Sequence, residues 1–405
     1  MSSPERPPSV GSVRLAAAFV VVALNLRLVI ASLGPELDRV RDGLGLSDTA
    51  TSVLTALPVF VFGILALAGP WVSHKLGLRR SILLVLALLV GGSALRIGPD
   101  GFTLFAGTLL AATGIAIANV LMPMVARREF PTRTGLILGL TTTATIGSVA
   151  LAAGLTVPIA NALGSGWRGG LGVWAALTGL TLLIWLPFAL QEHERDQGAP
   201  PHLSRAMLRS PLAWMITLFF GLQSLNVYVV VNWLPSIYRD HGYSHSAAGG
   251  LLALLNLVQL PVALVVPSIA SRMRSQHLIV VGVIVCSAVA FVGILVSPTR
   301  PTVLWLIVLG LAQGAAFPLC LSFVVLRAGS NAETAQLSTM MQAIGYVIAG
   351  IGPLVFGAIH AATNSWRGPL IFLIVLLVPE LVAGLRAASP GFIELKADAI
   401  KKTAA

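Results

Sequence analysis

Apolar stretches of bilayer-spanning length follow one another along almost the whole chain, and nothing in the sequence constrains the fold more. A helix needs ~20 apolar residues to cross a hydrocarbon core of ~30 Å. Runs of that order lie at 15–33, 52–72, 81–98, 102–126, 134–161, 169–190, 211–234, 247–270, 278–297, 302–326, 335–361 and 367–387. They predict an all-α polytopic membrane protein with 12 transmembrane helices. With 56% of its 405 residues hydrophobic and 10% charged, the chain has too few polar side chains to clothe a water-soluble body of this size. The first run follows a polar leader, yet so many runs succeed it that it reads as a retained helix and not a cleaved signal.

The long polar interruption at 191–210 divides the runs six and six. The expected organisation is a leader at 1–14, a six-helix bundle over 15–190, a linker at 191–210, a second six-helix bundle over 211–387 and a tail at 388–405. With the amino terminus in the cytoplasm, 18 of the 26 Lys and Arg residues fall on the cytoplasmic side and 7 on the outer side, leaving Arg27 inside a helix. That skew is the positive-inside pattern. The net charge of +11 therefore records topology and contact with anionic membrane lipids, and no nucleic-acid partner is expected. Both termini are expected in the cytoplasm of a bacterial-type cell, with the chain in its plasma membrane. Cys286 and Cys320 fall inside apolar runs and predict neither a disulfide nor a metal site.

The two halves repeat one another. Trp167-Arg168-Gly169 recurs as Trp366-Arg367-Gly368, Gly114 and Arg127 recur as Gly314 and Arg327, and Pro70 and Lys75 recur as Pro267 and Arg272, at offsets of 199, 200 and 197 residues. Three matches at nearly one offset argue for duplication, and transporters built from repeats carry their substrate at the repeat interface.

On this layout, and on the basic loop Pro70-Trp71-Val72-Ser73-His74-Lys75-Leu76-Gly77-Leu78-Arg79-Arg80, the chain resembles the major facilitator superfamily over its whole length. Leu24-Asn25-Leu26-Arg27, Leu57-Pro58 with Phe62-Gly63, Leu104-Phe105-Ala106-Gly107-Thr108, Ala118-Asn119-Val120-Leu121-Met122-Pro123, Phe130-Pro131 and Gly166-Trp167-Arg168 are similar to its cyanate permease and 2-nitroimidazole transporter branch. The resemblance implies two pseudo-symmetric six-helix bundles rocking in alternating access. Helices one, four, seven and ten would line the pathway, which favours Arg27, Asn119, Gln223, Asn226 and Gln313. Lys75, Gly77, Arg79 and Arg80 would shape the cytoplasmic gate. Cyanate is the implied substrate, and a nitroimidazole-like aromatic solute is its rival. Two positions depart from the superfamily pattern. His74 stands where an Asp is usual, and Leu110 stands where many proton-coupled members carry an Arg.

Polar groups in hydrocarbon are costly, so each needs a partner or a cavity. Arg27 lies roughly 18 Å into the first span, near the midplane. It is either paired with a neighbouring helix or a site for an anion, to which its planar fork is suited. Asn25, two positions away, points elsewhere and is expected to bond between helices. Gln223, Gln259, Gln313, Thr142, Thr145, Gln342 and Tyr346 reach similar depths. Singly, each reads as an interhelical hydrogen bond; together they form a polar belt around a central cavity. Asn226 and Trp233 are assigned to the face of Gln223, with Trp233 and Tyr346 as a stacking wall for a planar ligand. Asn119, Pro123 and Arg127 share a face. Pro123 frees the Asn119 carbonyl, as a hinge or as a packing kink, and Arg127, near the cytoplasmic end, is expected against lipid headgroups by default, with a gate as the alternative.

Among the carboxylates only Glu380 lies clearly inside a span, in a helix that is peripheral by resemblance, so an interhelical or lipid-interface role is expected for it. That shortage predicts weak or absent proton coupling. There is no G-x-x-x-x-G-K-[ST], H-E-x-x-H, G-x-S-x-G or C-x-x-C, so no cofactor, metal or enzymatic activity is expected. The expected function is secondary or facilitative transport of a small anionic or planar polar solute by a monomer. A solute-sensing receptor is the alternative class, and it would be expected to carry an added cytoplasmic domain.

Overall fold

In a computed structural model, residues 10–191 and 203–393 are described, so most of the expected leader, linker and tail lies outside them. Fifteen helices and no strand occur among the described residues. The first half holds α1 (Val10–Ala31), α2 (Leu33–Leu44), α3 (Asp48–Leu65), α4 (Ala68–Leu76), α5 (Leu78–Arg96), α6 (Gly101–Glu129), α7 (Thr134–Leu163) and α8 (Gly166–Leu190). After α9 (Arg205–Arg209) come α10 (Pro211–Asp240), α11 (His245–Arg272), α12 (His277–Val296), α13 (Thr302–Arg327), α14 (Asn331–Thr363) and α15 (Arg367–Ala388). Among the described residues eleven helices are long and apolar enough to cross a membrane, and the bent pair α3–α4 makes up to twelve.

The sequence draws the second span as one rod, but the chain bends by 62° between α3 and α4. Pro70 supplies the reason. In a continuous helix its ring would crowd the Ala66 carbonyl and leave that carbonyl without a donor. The break instead places Pro70 in the first turn of α4, where no donor is needed, and the Gly69 amide takes up the Ala66 carbonyl at 3.2 Å. Helix starts elsewhere follow from short polar caps: Asp100 accepts the Thr103 amide at 2.8 Å and Ser330 the Glu333 amide at 3.2 Å.

Ala189 and Arg80, Ser204 and Gln336, and Ile393 and Arg327 are hydrogen-bonded neighbours, so the last described residues and both sides of the linker share one face, called here the terminal face. The halves meet along α7 against α11 and along α3–α4 against α14, the two seams that the repeat exchanges. Small residues allow the approach. A Cβ added to Gly135 of α7 would lie 2.7 Å from the Pro267 carbonyl oxygen, and one on Gly63 of α3 would lie 3.2 Å from the Ala343 oxygen.

Candidate functional site

Between the halves lies a cavity of about 610 Å³, and α1, α7, α10, α11, α13 and α14 all contribute to its wall. Among the described residues Arg27 is the one charged side chain in that wall, and no carboxylate lines it. Arg27 is half-buried, its guanidinium carbon sits 5.1 Å from the centre of the Phe62 ring, and the Tyr228 and Tyr346 side chains lie within interaction range. A permanently ionised fork thus faces the cavity with aromatic and hydroxyl company and no counter-ion. Gln223, Gln259, Gln313 and Thr145 also line the cavity, as the polar belt predicts. Neither amide atom of Gln313 has a hydrogen-bond partner, and Gln259 donates to its neighbour Asn256 at 3.3 Å.

The cavity is shut toward the terminal face and open away from it. On the shut side Arg127 reaches from α6 into the other half, donating to the carbonyls of Val325 (3.0 Å) and Ala328 (2.7 Å) and to the Thr334 hydroxyl (3.0 Å). Ser338 donates to the Val120 carbonyl at 3.2 Å, and Thr143 to that of Leu260 at 3.3 Å. On the other side Gly154, Gly249 and Gly250 line the cavity, and an added Cβ on any of them meets nothing within 4 Å.

The floor between these regions holds three of the expected residues, two of them set differently from the expectation. Gln342 points across the halves and donates to the Asn119 carbonyl at 2.8 Å and to the Ser338 hydroxyl at 3.1 Å. The Asn119 amide donates to the Tyr346 hydroxyl at 3.3 Å. Of these, Tyr346 alone lines the cavity; Asn119 and Gln342 brace it from below.

Two further expected residues lie elsewhere. Asn226 turns away from the cavity and donates to Glu380 at 2.7 Å. Trp233 donates to the Pro353 carbonyl at 3.2 Å and packs among Phe356, His360 and Trp366, with ring centres 6.0–6.4 Å apart. The reason is the helix row: the cavity face of α10 runs through Gln223, Val227 and Val231 at spacings of four, whereas Asn226 and Trp233 follow the neighbouring row. Thr142 bonds within its own helix, to the Leu138 carbonyl at 2.7 Å. Asn25 bonds between helices as expected, donating to Thr181 at 2.8 Å and accepting from Thr178 at 3.0 Å. Sequence reading passes over Tyr228, Asn256 and Phe317. Asn256 and Phe317 stand three and four residues from the recognised Gln259 and Gln313, and that spacing was the available signal; Tyr228 stands four residues after Ser224, which the sequence did not single out.

The remaining expected gate residues sit on the terminal side. Gly77 joins α4 to α5 with φ of 87°, a backbone that favours glycine. Arg79 pairs with Glu129 through bonds of 2.6 and 3.2 Å, Arg80 reaches the Ala189 carbonyl at 3.4 Å, and Lys75 lies over the Trp71 ring at 4.4 Å. These contacts stay within the first half. Arg127, for which lipid contact is the default expectation and a gate the alternative, crosses to the second half.

Spanning helices in two related bundles around a sealed-and-open central cavity define a membrane carrier. The Major Facilitator Superfamily model matches residues 15–350, and the chain belongs to that superfamily. It is 35% identical to the 2-nitroimidazole transporter of Escherichia coli (strain K12) over 92% of this chain and 95% of that protein. It is 32% identical to the cyanate transport protein CynX of the same organism (93% and 98% covered), and 34% identical to an uncharacterized transporter, YycB, of Bacillus subtilis (strain 168), with 94% of each covered. Among solved structures, the proton:xylose symporter XylE bound to 6-bromo-6-deoxy-D-glucose aligns with a TM-score of 0.74 at 15% identity, covering 95% of this chain and 98% of that one. The chain is a transporter and not an enzyme.

Proposed function

We propose that this transporter carries a small planar organic solute bearing a carboxylate- or nitro-type oxygen pair, held at the cavity by Arg27 and moved by rocking of the two halves. The observation that carries the reading is the guanidinium that faces the cavity with no counter-ion among the described residues, since a bidentate oxygen pair is what that fork binds best. The walls favour a flat ligand over a bare triatomic anion. Tyr228, Phe317 and Tyr346 offer aromatic faces, and about 610 Å³ falls in the range of pockets that enclose drug-sized organic molecules. Gln223, Gln259 and Gln313 supply neutral hydrogen bonds. Asn119 and Gln342 support Tyr346, and Asn226 and Trp233 act from behind the wall.

In this reading the two halves span 15–190 and 211–387, the chain works as a monomer, and both termini lie in the cytoplasm of a bacterial cell. The cavity then faces outward, and Arg127, with the loop carrying Lys75, Gly77, Arg79 and Arg80, forms the inner gate. Cyanate stands as the second reading, favoured by the relative that bears its name. Binding of 2-nitroimidazole, benzoate and cyanate to purified protein, compared between wild type and Arg27→Gln, tests both. Binding of the aromatic compounds that Arg27→Gln weakens supports the first reading. Binding of cyanate alone supports the second, and unchanged binding in Arg27→Gln removes the role given to Arg27.

A further inference from the structure

Behind the cavity wall, inside the second half, a carboxyl group is shut away from both water and lipid. Glu380 of α15 is 2% exposed, and its one hydrogen bond is the 2.7 Å donation from Asn226 of α10. It borders a small pocket of about 10 Å³, roughly the space of one water-sized group, together with Gln223, Asn226, Ser287 and Gln313. Gln223 and Gln313 line the large cavity as well, so these two side chains border both Glu380's pocket and the solute pathway. The Gln313 amide makes no hydrogen bond, and that of Gln223 makes the 2.6 Å donation to its neighbour Ser224. Gln223 Oε1, Asn226 Oδ1 and both amide atoms of Gln313 are buried without a hydrogen-bond partner. Unsatisfied buried polar atoms are rare in folded proteins, and four of them belong to side chains that border the pocket beside Glu380.

The surroundings of Glu380 hold no positive charge. Helix α10 presents Asn226 and Gln223, α12 presents Ser287, and α13 presents Gln313 and the Cys320 thiol; α14 contributes no side chain to the pocket. Among the described residues no Lys, Arg or His pairs with it. A lone carboxylate in such a place is neutralised either by a proton or by a bound cation. The pocket is too small for a hydrated ion, and the unpartnered amide oxygens are ready acceptors for a carboxylic O–H.

We infer that Glu380 is the residue at which this transporter binds and releases a proton, exchanged with the central cavity through the gap between Gln223 and Gln313. On loading, a hydronium ion in the cavity gives its proton to the carboxylate, forming a carboxylic acid and leaving water; unloading reverses the step. Helix α10 ties this to the solute site, since it carries Asn226 against Glu380 and Tyr228 beside Arg27. The scarcity of carboxylates in the spans pointed toward weak coupling, but one carboxyl group, placed one side chain from the cavity, is enough to couple.

Infrared spectroscopy of the purified full chain, without solute, tests the proton site directly. A protonated-carboxyl band that appears and disappears between mildly acidic and alkaline pH, and that is missing from Glu380→Gln, is the expected result. Gln is close in shape and its carbonyl still accepts from Asn226. Should that variant not fold, Glu380→Asp keeps a carboxyl and should shift the band. Absence of the band, or a band that follows sodium and not pH, overturns the inference. The transport arm rests on the carrier reading above: uptake of 2-nitroimidazole and cyanate into proteoliposomes with and without an imposed pH gradient. The ratio of the two rates should exceed one in wild type and fall to one in Glu380→Gln; a ratio of one in wild type, or a variant that keeps the wild-type ratio, overturns the coupling. If neither solute moves in wild type, the solute reading fails and the infrared result decides this inference alone.

Discussion

Gln342 of the second half donates to the backbone carbonyl of Asn119 in the first, at 2.8 Å, and this is the carbonyl that Pro123 leaves without an intrahelical donor. The proline in α6 thus serves as half of a latch between the bundles, beyond any bend it imposes. A hydrogen bond of this kind is worth ~1 kcal/mol, and leaving the buried carbonyl empty costs ~1–3 kcal/mol. Gln342→Leu should therefore shift the balance away from the state closed at the terminal face by about 5-fold to ~150-fold. A cysteine placed at Gly249, on the open side of the cavity, should react more slowly with a membrane-impermeant thiol reagent in that background.

Arg127 makes the second latch, with three acceptors in the opposite half. Hydrogen bonds from a charged donor contribute about 1.5–3 kcal/mol, so Arg127→Ala should move the same equilibrium further than Gln342→Leu. Arg127→Lys should recover only part of the effect, since an ammonium cannot reproduce the fork. The Gly249 cysteine, labelled in both variants, checks the order.

Replacing Arg27 should act on binding and leave the fold intact, because its guanidinium faces the cavity and forms no ion pair among the described residues. Arg27→Gln is expected to weaken a carboxylate or nitro ligand by about 1.5–3 kcal/mol, or roughly tenfold to ~150-fold in Kd. Titration calorimetry with 2-nitroimidazole and benzoate would read this. An equal Kd in both proteins would remove Arg27 from the site.

Asn25, two residues away, predicts the opposite division. Its amide is buried and satisfied by Thr178 and Thr181 of α8. Interhelical hydrogen bonds in membrane proteins average ~0.6 kcal/mol and reach ~1.7 kcal/mol, so Asn25→Ala should lower stability by about 1–2 kcal/mol with little change in ligand Kd. Thermal unfolding and calorimetry on one preparation separate the two outcomes.

The contrast between Asn25 and Arg27 was legible in the sequence, because a 3.6-residue period sends positions two apart to different sides of a helix. So were the spans, whose length the bilayer dictates. The face of α10 was not. Gln223 and Asn226 are as good a helical pair as Gln223 and Val227, and only packing against α15 decides which row meets the cavity. Nor was the bend after α3, because 52–72 carries no charged residue and Pro70 fits a broken span as well as a continuous one near its end. The importance of Glu380 escaped for a similar reason: its distance from the cavity is set by Gln223 and Gln313 in three dimensions and leaves no trace in spacing.

Two glycines separate what holds each half together from what holds the halves to each other. Gly92 packs within the first half, where an added Cβ would stand 2.7 Å from the Gly107 oxygen and 2.7 Å from the Ala111 nitrogen. Gly139 packs across the seam, against the backbone of Leu264, with an added Cβ 3.0 Å from that residue's carbonyl carbon. Overpacking costs ~1–3 kcal/mol at either site, but its relief differs. Rocking moves each half as a body, so no state of the cycle separates Gly92 from α6, whereas opening the terminal face parts α7 from α11. Gly92→Val should therefore lower the unfolding temperature, and Gly139→Val should leave it nearly unchanged while slowing modification of the Gly249 cysteine. Equal loss of unfolding temperature in the two variants would show that the α7–α11 seam is part of a single rigid core and does not part.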